Sequence, residues 1–185
     1  METIYIKSMV CPRCIKTVES IVSGLGYSDA VVKLGYIENA SIRSFIELDK
    51  RLKEEGFERL VSNNEIICEK VKLVLIDLIT NANLDELSMN ISDYISAKVE
   101  MPYSTAATYF KKTCNHSVDS YWQALRMEKA KEWLSYEDHT VTEIAQKVGY
   151  NSLQSFSKAF KLAVGHSPSV FRKQKPSTRK LLNDL

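Results

Sequence analysis

Proline is scarce in this chain, with four in 185 residues, and cysteine and histidine are no commoner, at four and three. No apolar run is long enough to span a bilayer. The most apolar stretch, VKLVLIDLI at residues 71–79, carries Lys72 and Asp77 and is too short. The opening METIYIKSMV has neither a basic head nor a long apolar core, so no secretory signal is expected. No His-Asp-Ser set, phosphate loop or carboxylate pair points to catalysis, and an enzyme is not expected. His116, His139 and His166 show no metal-ligand spacing. These absences make a cytoplasmic protein, with no membrane span and with its thiols reduced, the expectation. Only Cys11 and Cys14 are close in sequence; Cys68 and Cys114 read as buried core cysteines.

What is present is ordinary in bulk and uneven in distribution. Hydrophobic and charged fractions of 44% and 26% suit a globular chain, and the length allows one good domain or two small ones. The net charge of +2 hides a gradient: −1 over residues 1–82, −3 over 83–138 and +6 over 139–185. A basic final quarter suggests a polyanion partner. Part of that charge lies in a tail, but Lys158, Lys161, Arg172 and Lys173 fall inside apolar-periodic segments.

The N-terminal third alternates between strand and helix periods. TIYIKSM reads as a strand. Ile15, Val18, Ile21, Val22 and Leu25 then recur at helical spacing, and Gly24 and Gly26 stop the helix. DAVVKLGYIENA is a short strand pair or one strand kinked at Gly35. Ile42, Phe45, Ile46, Asp49 and Leu52 predict a second helix, which Gly56 closes, and FERLVS is a last strand. The order β-α-β-(β)-α-β is a ferredoxin-like pattern over residues 1–62. A connecting helix and polar hinge occupy 63–87. Its seam of Ile67, Val71, Val74 and Leu78 suits another helix, in the same chain or in a second copy, and on this seam rests the expectation of a homodimer. NANLDELS, residues 81–88, is the hinge. From residue 88 the chain reads as helical, up to a tail at 175–185. The fold expected is thus α+β in the N-terminal domain, followed by an all-α domain.

In the helical half, a short helix, a tight turn and a second helix occur twice, with a long helix VDSYWQALRMEKAKEWL between the copies. Thr140 and Glu143 form a capping box, Gly149 permits the second turn, and Pro168 opens the last helix. Ile144, Ala145, Val148, Phe156 and Phe160 are the expected core of the second copy, and Trp122, Leu125 and Trp133 pack the long helix. LRMEKAKEWL…TVTEIAQKVGYNSLQSFSKAFKLAVGHSPSVFRK, within residues 88–174, resembles the signature of AraC-type transcription regulators. That resemblance implies a double helix-turn-helix domain that binds double-stranded DNA, with the second helix of each unit in a major groove. By motif position the second unit presents Leu153, Gln154 and Lys158, with Lys161 and Arg172 adding charge. Gln pairs with adenine, Lys with guanine or phosphate, and Leu touches a thymine methyl. The equivalent places in the first unit are Ser104, Ala107 and Thr108, which have little reach, with Lys111 and Lys112 available to phosphates. The second unit is therefore expected to carry more of the affinity.

MVCPRC, residues 9–14, follows the first strand. Two thiols spaced by two residues at a helix start grip one soft ion, and the helix N-terminus and Arg13 favour the thiolate. METIYIKSMVCPRCIKTV resembles the start of a heavy-metal-associated domain. That resemblance implies copper(I), or another soft metal ion, on Cys11 and Cys14, with Met9 packed under the loop. Pro12-Arg13 replaces the small residues usual between the thiols, and the middle hairpin is short. C-P-x-C also resembles glutaredoxin, but no later proline is present in this domain to face the pair. Three alternatives to metal sensing stay open: a packing or dimerisation module, a copper-handling domain and a thiol switch. The function expected is a DNA-binding transcription regulator whose N-terminal domain is its input.

Overall fold

A computed structural model of the protein describes residues 3–38, 42–81, 84, 89–136 and 138–174. The chain groups into two compact units, residues 1–73 with 104–115 and residues 74–103 with 116–185. This division differs from the segments read from sequence, because residues 104–115, part of the first helix-turn-helix copy, group with the N-terminal unit. Most of the expected hinge (82, 83 and 85–88) and the tail (175–185) lie outside the described residues.

The N-terminal unit begins with β1 (Ile4–Lys7), α1 (Pro12–Gly24), β2 (Val31–Lys33), β3 (Tyr36–Glu38), α2 (Phe45–Glu54) and β4 (Glu58–Arg59). The strands form one antiparallel sheet of order β2-β3-β1-β4. Alternation sets its inner face: Ile4, Ile6, Val32 and Ile37 are buried against Val18 and Val22 of α1 and Leu48 and Leu52 of α2. The stretch that reads ambiguously around Gly35 is a hairpin, with Val32 opposite Ile37 and Lys33 opposite Tyr36. Gly35 turns it at φ +84°, and an added Cβ would strike the Leu73 side chain. The left-handed conformation thus favours glycine there. The last strand is shorter than expected, two residues, and the Leu60 N–H extends its pairing to the Tyr5 carbonyl at 2.8 Å. Arg59 ties it to α2 through two bonds to Asp49, at 2.7 and 2.8 Å.

The connecting helix is α3 (Asn63–Asn81). Ile67, Val71 and Leu78 of the expected seam are buried and Val74 is half-buried, but Cys68, Leu75, Ile76 and Ile79 are buried as well. The buried positions of α3 thus extend beyond the expected seam.

Then come α4 (Ile91–Val99), α5 (Tyr103–Cys114), α6 (Val118–Tyr136), α7 (Val141–Lys147), α8 (Leu153–Val164) and α9 (Pro168–Gln174). In the C-terminal unit, α6 to α9 share one core of Met127, Ala130, Leu134, Ile144, Ala145, Val148, Phe156, Phe160 and Phe171. The expected core of the second copy is all within it. Tyr150, Phe156, Phe160 and Phe171 form a run of aromatic contacts with ring centroids 5.5–5.6 Å apart. Trp122 and Leu125 are buried and Trp133 is half-buried, so these side chains pack and are not stacking platforms.

Candidate nucleic-acid interface and thiol motif

The helix-turn-helix formed by α7 and α8 is defined at each end by local chemistry. Thr140 caps α7: its oxygen accepts the Glu143 N–H at 3.2 Å, and the Glu143 carboxylate accepts the Thr140 N–H at 2.7 Å. Those bonds hold the Glu143 carboxyl below its ordinary value. Gly149 makes the turn at φ +75°, in the left-handed region. Ser152 caps α8 by accepting the Ser155 N–H at 3.1 Å.

Sequence reasoning passed over the residue that fixes this turn. Arg126 points from α6 into the corner, largely buried, and donates to the carbonyls of Val148 and Gly149, the latter at 2.7 Å. Its guanidinium lies 3.9 Å from the Tyr150 ring centroid. The Tyr150 hydroxyl in turn donates to Gln123 on α6 at 2.8 Å. Buried carbonyls in a turn that makes no ladder need such a donor. The signal was an arginine in the middle of a long helix whose neighbours are apolar. Nearby, Lys131 and Glu128 form a buried ion pair at 2.6 Å on the same helix.

The corner aims α8 with its polar face outward. Leu153, Gln154, Lys158 and Lys161 are all exposed, while Phe156 and Phe160 face the core. Gln154, Lys158 and Lys161 recur at helical spacing and so make one stripe. Arg172 differs: it is half-buried, and its Nη2 donates to the His139 carbonyl at 2.6 Å. Its guanidinium braces the segment before α7 and does not stand in the α8 stripe.

On α5, Ser104, Thr108, Lys111 and Lys112 are exposed and Ala107 is half-buried. Thr108 donates its hydroxyl to the Ser104 carbonyl at 2.8 Å, one turn back in its own helix. The inward face carries Ala106 and Phe110.

In the N-terminal unit, Cys11 immediately precedes α1, without a side-chain capping bond, and Pro12 is the first residue of the helix. The Cys11 and Cys14 sulfurs are 3.2 Å apart. Burial pushes the Cys11 thiol up, but the Cys14 thiol, the N–H groups of Cys14 and Arg13, and the Arg13 charge together bring it below its ordinary value. Cys14 moves the other way, through burial and the Cys11 sulfur. Met9 is fully buried in the core beneath the loop. Ser8 opens the loop at φ 72°, and its N–H donates to the buried Glu69 of α3 at 3.0 Å. Burial holds that carboxyl above its ordinary value. Glu69 also escaped the sequence reading, although a carboxylate beside buried Ile67 and Cys68 was a legible signal. Among the described residues no three His, Cys, Asp or Glu side chains gather as a metal cluster. The thiol pair is a two-sulfur donor set, whose chemistry fits a soft ion such as copper(I) better than four-coordinate zinc.

Residues 95–174 match the family described as a helix-turn-helix domain. Over 87 residues the chain is 34% identical to the Msm operon regulatory protein of Streptococcus mutans, covering 47% of this chain and 31% of that one. Over 66 residues it is 46% identical to the raffinose operon transcriptional regulatory protein RafR of Pediococcus pentosaceus, covering 36% of this chain and 24% of that one. The chain thus spans less than a third of the length of either relative. Its fold is similar to that of the C-terminal domain of AraT, a response regulator from Geobacillus stearothermophilus. The TM-score is 0.52 and the identity 23%, covering 64% of this chain and 95% of that one. The matched residues and the capped α7–α8 corner agree, and residues 95–174 form a helix-turn-helix domain.

Proposed function

We propose that this protein is a sequence-specific DNA-binding transcription regulator that reads bases chiefly with α8. The observation that carries the reading is the exposed stripe of Gln154, Lys158 and Lys161, on a helix whose angle is fixed by the Arg126-braced turn. Gln154 suits an adenine edge, Lys158 a guanine or phosphate, Lys161 the backbone, and Leu153 a thymine methyl. On α5, Ser104, Ala107 and Thr108 offer short side chains, and Lys111 and Lys112 phosphate contacts. The relatives that match this half are named as operon regulators, which supports the same role here. The test is binding to duplex DNA over a salt series. Affinity falls steeply as salt rises, and Lys158→Ala weakens binding and flattens the slope by about one unit. Binding that ignores salt, or none to any duplex, contradicts the proposal.

The N-terminal sheet domain is its input. Its element order and strand order support a ferredoxin-like module of the heavy-metal-associated kind. Cys11 and Cys14 would hold one copper(I) ion, with the helix start stabilising thiolate charge and Met9 filling the space below. The reduced protein is expected to take up copper(I), and Cys11→Ser to abolish the uptake. Equal uptake by both proteins would leave this domain a packing module. No helix among the described residues is long and apolar enough to cross a membrane.

A further inference from the structure

A polar bond joins the thiol loop to a helix outside the sheet module. Ser8 stands between β1 and MVCPRC, and both its backbone polar groups are engaged. Its N–H donates to Oε1 of Glu69 at 3.0 Å, and its carbonyl faces the Cys14 sulfur at 4.0 Å. Its φ is 72°, in the left-handed region that serine seldom adopts, so the turn needs holding from outside. Glu69 supplies that hold from α3. It is 6% exposed, so its carboxylate has left water to make this bond.

The neighbours of Glu69 on α3 fix where that carboxylate stands. Lys70 holds its ammonium 4.9 Å from the ring centroid of Tyr5 on β1. Leu73, one turn beyond Glu69, lies beside Gly35 in the β2–β3 hairpin. Met9, next after Ser8, is fully buried in the core cluster with Ile6 and Val18. The loop is thus pinned twice, into the sheet core by Met9 and to α3 by Ser8. Cys11 and Cys14 follow directly, with their sulfurs 3.2 Å apart.

We propose that Glu69 is a positioning residue for the thiol pair: its bond to Ser8 holds the loop in the form that brings Cys11 and Cys14 together, and links their occupancy to α3. A loop already held loses less freedom when an ion binds. Outer hydrogen bonds that orient a metal's ligands carry about 10–100-fold of its affinity. The link runs both ways. Whatever factor Glu69 adds to the affinity for the ion, the bound ion adds to the Glu69–Ser8 bond. Filling the thiol pair therefore tightens the grip of the sheet module on α3, the helix by which the chain leaves it. The effect on copper(I) rests on the metal reading of the thiol pair; the hold on the loop does not.

The test compares the full-length reduced protein with Glu69→Met, Glu69→Gln and Lys70→Ala. Copper(I) affinity is read by competition with a chromophoric copper(I) chelator, and backbone amide exchange is followed at Ser8 with and without copper(I). Glu69→Met fills the same space without an oxygen. It is expected to weaken copper(I) binding by about 10–100-fold and to speed Ser8 exchange in the metal-free protein. Glu69→Gln keeps an oxygen that accepts the Ser8 N–H and should stay near wild type in both readouts. Lys70→Ala removes an adjacent α3 contact and should also leave both near wild type, which separates this bond from a general loosening of the helix. In the wild type, copper(I) should slow Ser8 exchange, an outcome that does not hinge on how the variants fold. Equal copper(I) affinity in wild type and Glu69→Met, a Glu69→Gln as weak as Glu69→Met, or Ser8 exchange that copper(I) leaves unchanged would overturn the proposal. A wild type that takes up no copper(I) overturns the metal reading instead. The hold on the loop is then decided by metal-free Ser8 exchange, which must quicken in Glu69→Met and return in Glu69→Gln, and fails if it does not.

Discussion

The helices α5 and α8 hold the same place in two copies of one motif and have the same length, twelve residues, yet they face solvent with different chemistry. On α8 the outward stripe is Gln154, Lys158 and Lys161, long side chains with exposed polar ends. On α5 the equivalent positions are small, and the Thr108 hydroxyl is satisfied by its own helix. They also belong to different compact units: α8 lies in the C-terminal core, while residues 104–115 group with the N-terminal sheet domain. In the proposed reading, the side chains able to reach base edges are thus concentrated in one copy.

The largest expected effect comes from removing the brace that α8 depends on. Arg126→Ala leaves two turn carbonyls without their donor and strips the cation from Tyr150. A loss of about 3 kcal/mol is expected in denaturant unfolding. An unchanged midpoint would mean that the turn holds itself. Next, Gln154→Ala should cost about 1–3 kcal/mol of base discrimination while leaving the fold intact. Its signature is relaxed preference at one base pair in a binding-site series, whereas Lys158→Ala should weaken all sequences alike if it meets phosphate.

Smaller is the loss of the α7 cap. Thr140→Ala should destabilise by about 1 kcal/mol. The same box carries a pH signature. Glu143 has a folded value below its unfolded one, so its contribution is present above the ordinary carboxylate value and is lost as pH falls through the depressed one. Thermal melts from neutral to acid pH check this, since Glu143→Gln should flatten that part of the profile. The smallest effect is expected for Thr108→Ala, whose hydroxyl already bonds within α5. Its DNA affinity should change less than that of Gln154→Ala, and an equal loss would make the two copies equivalent readers.

Local chemistry was legible in the sequence. The Thr140–Glu143 box, the turn at Gly149, Pro168 at the head of α9 and the apolar spacing of Phe156 and Phe160 each rest on residues within a few positions of one another. Elements with few residues were harder. The hairpin at Gly35 has three-residue strands, and the last strand has two, too short for alternation to declare itself. What stayed hidden depends on residues distant in sequence that meet in space. Arg126 braces a turn more than twenty positions away, and Glu69 holds the loop before MVCPRC. Arg172 also makes a contact distant in sequence, its Nη2 donating to the His139 carbonyl. The seam on α3 was visible, but the seam alone could not say whether this chain or a second copy covers it.

The most direct test of the central claim is selection from a random duplex pool with the full reduced protein, run beside Gln154→Ala. The account predicts one enriched motif for the wild type, and the same motif with a single degenerate position for the variant. No enriched motif, or an identical one for both proteins, would contradict α8 as the base-reading helix.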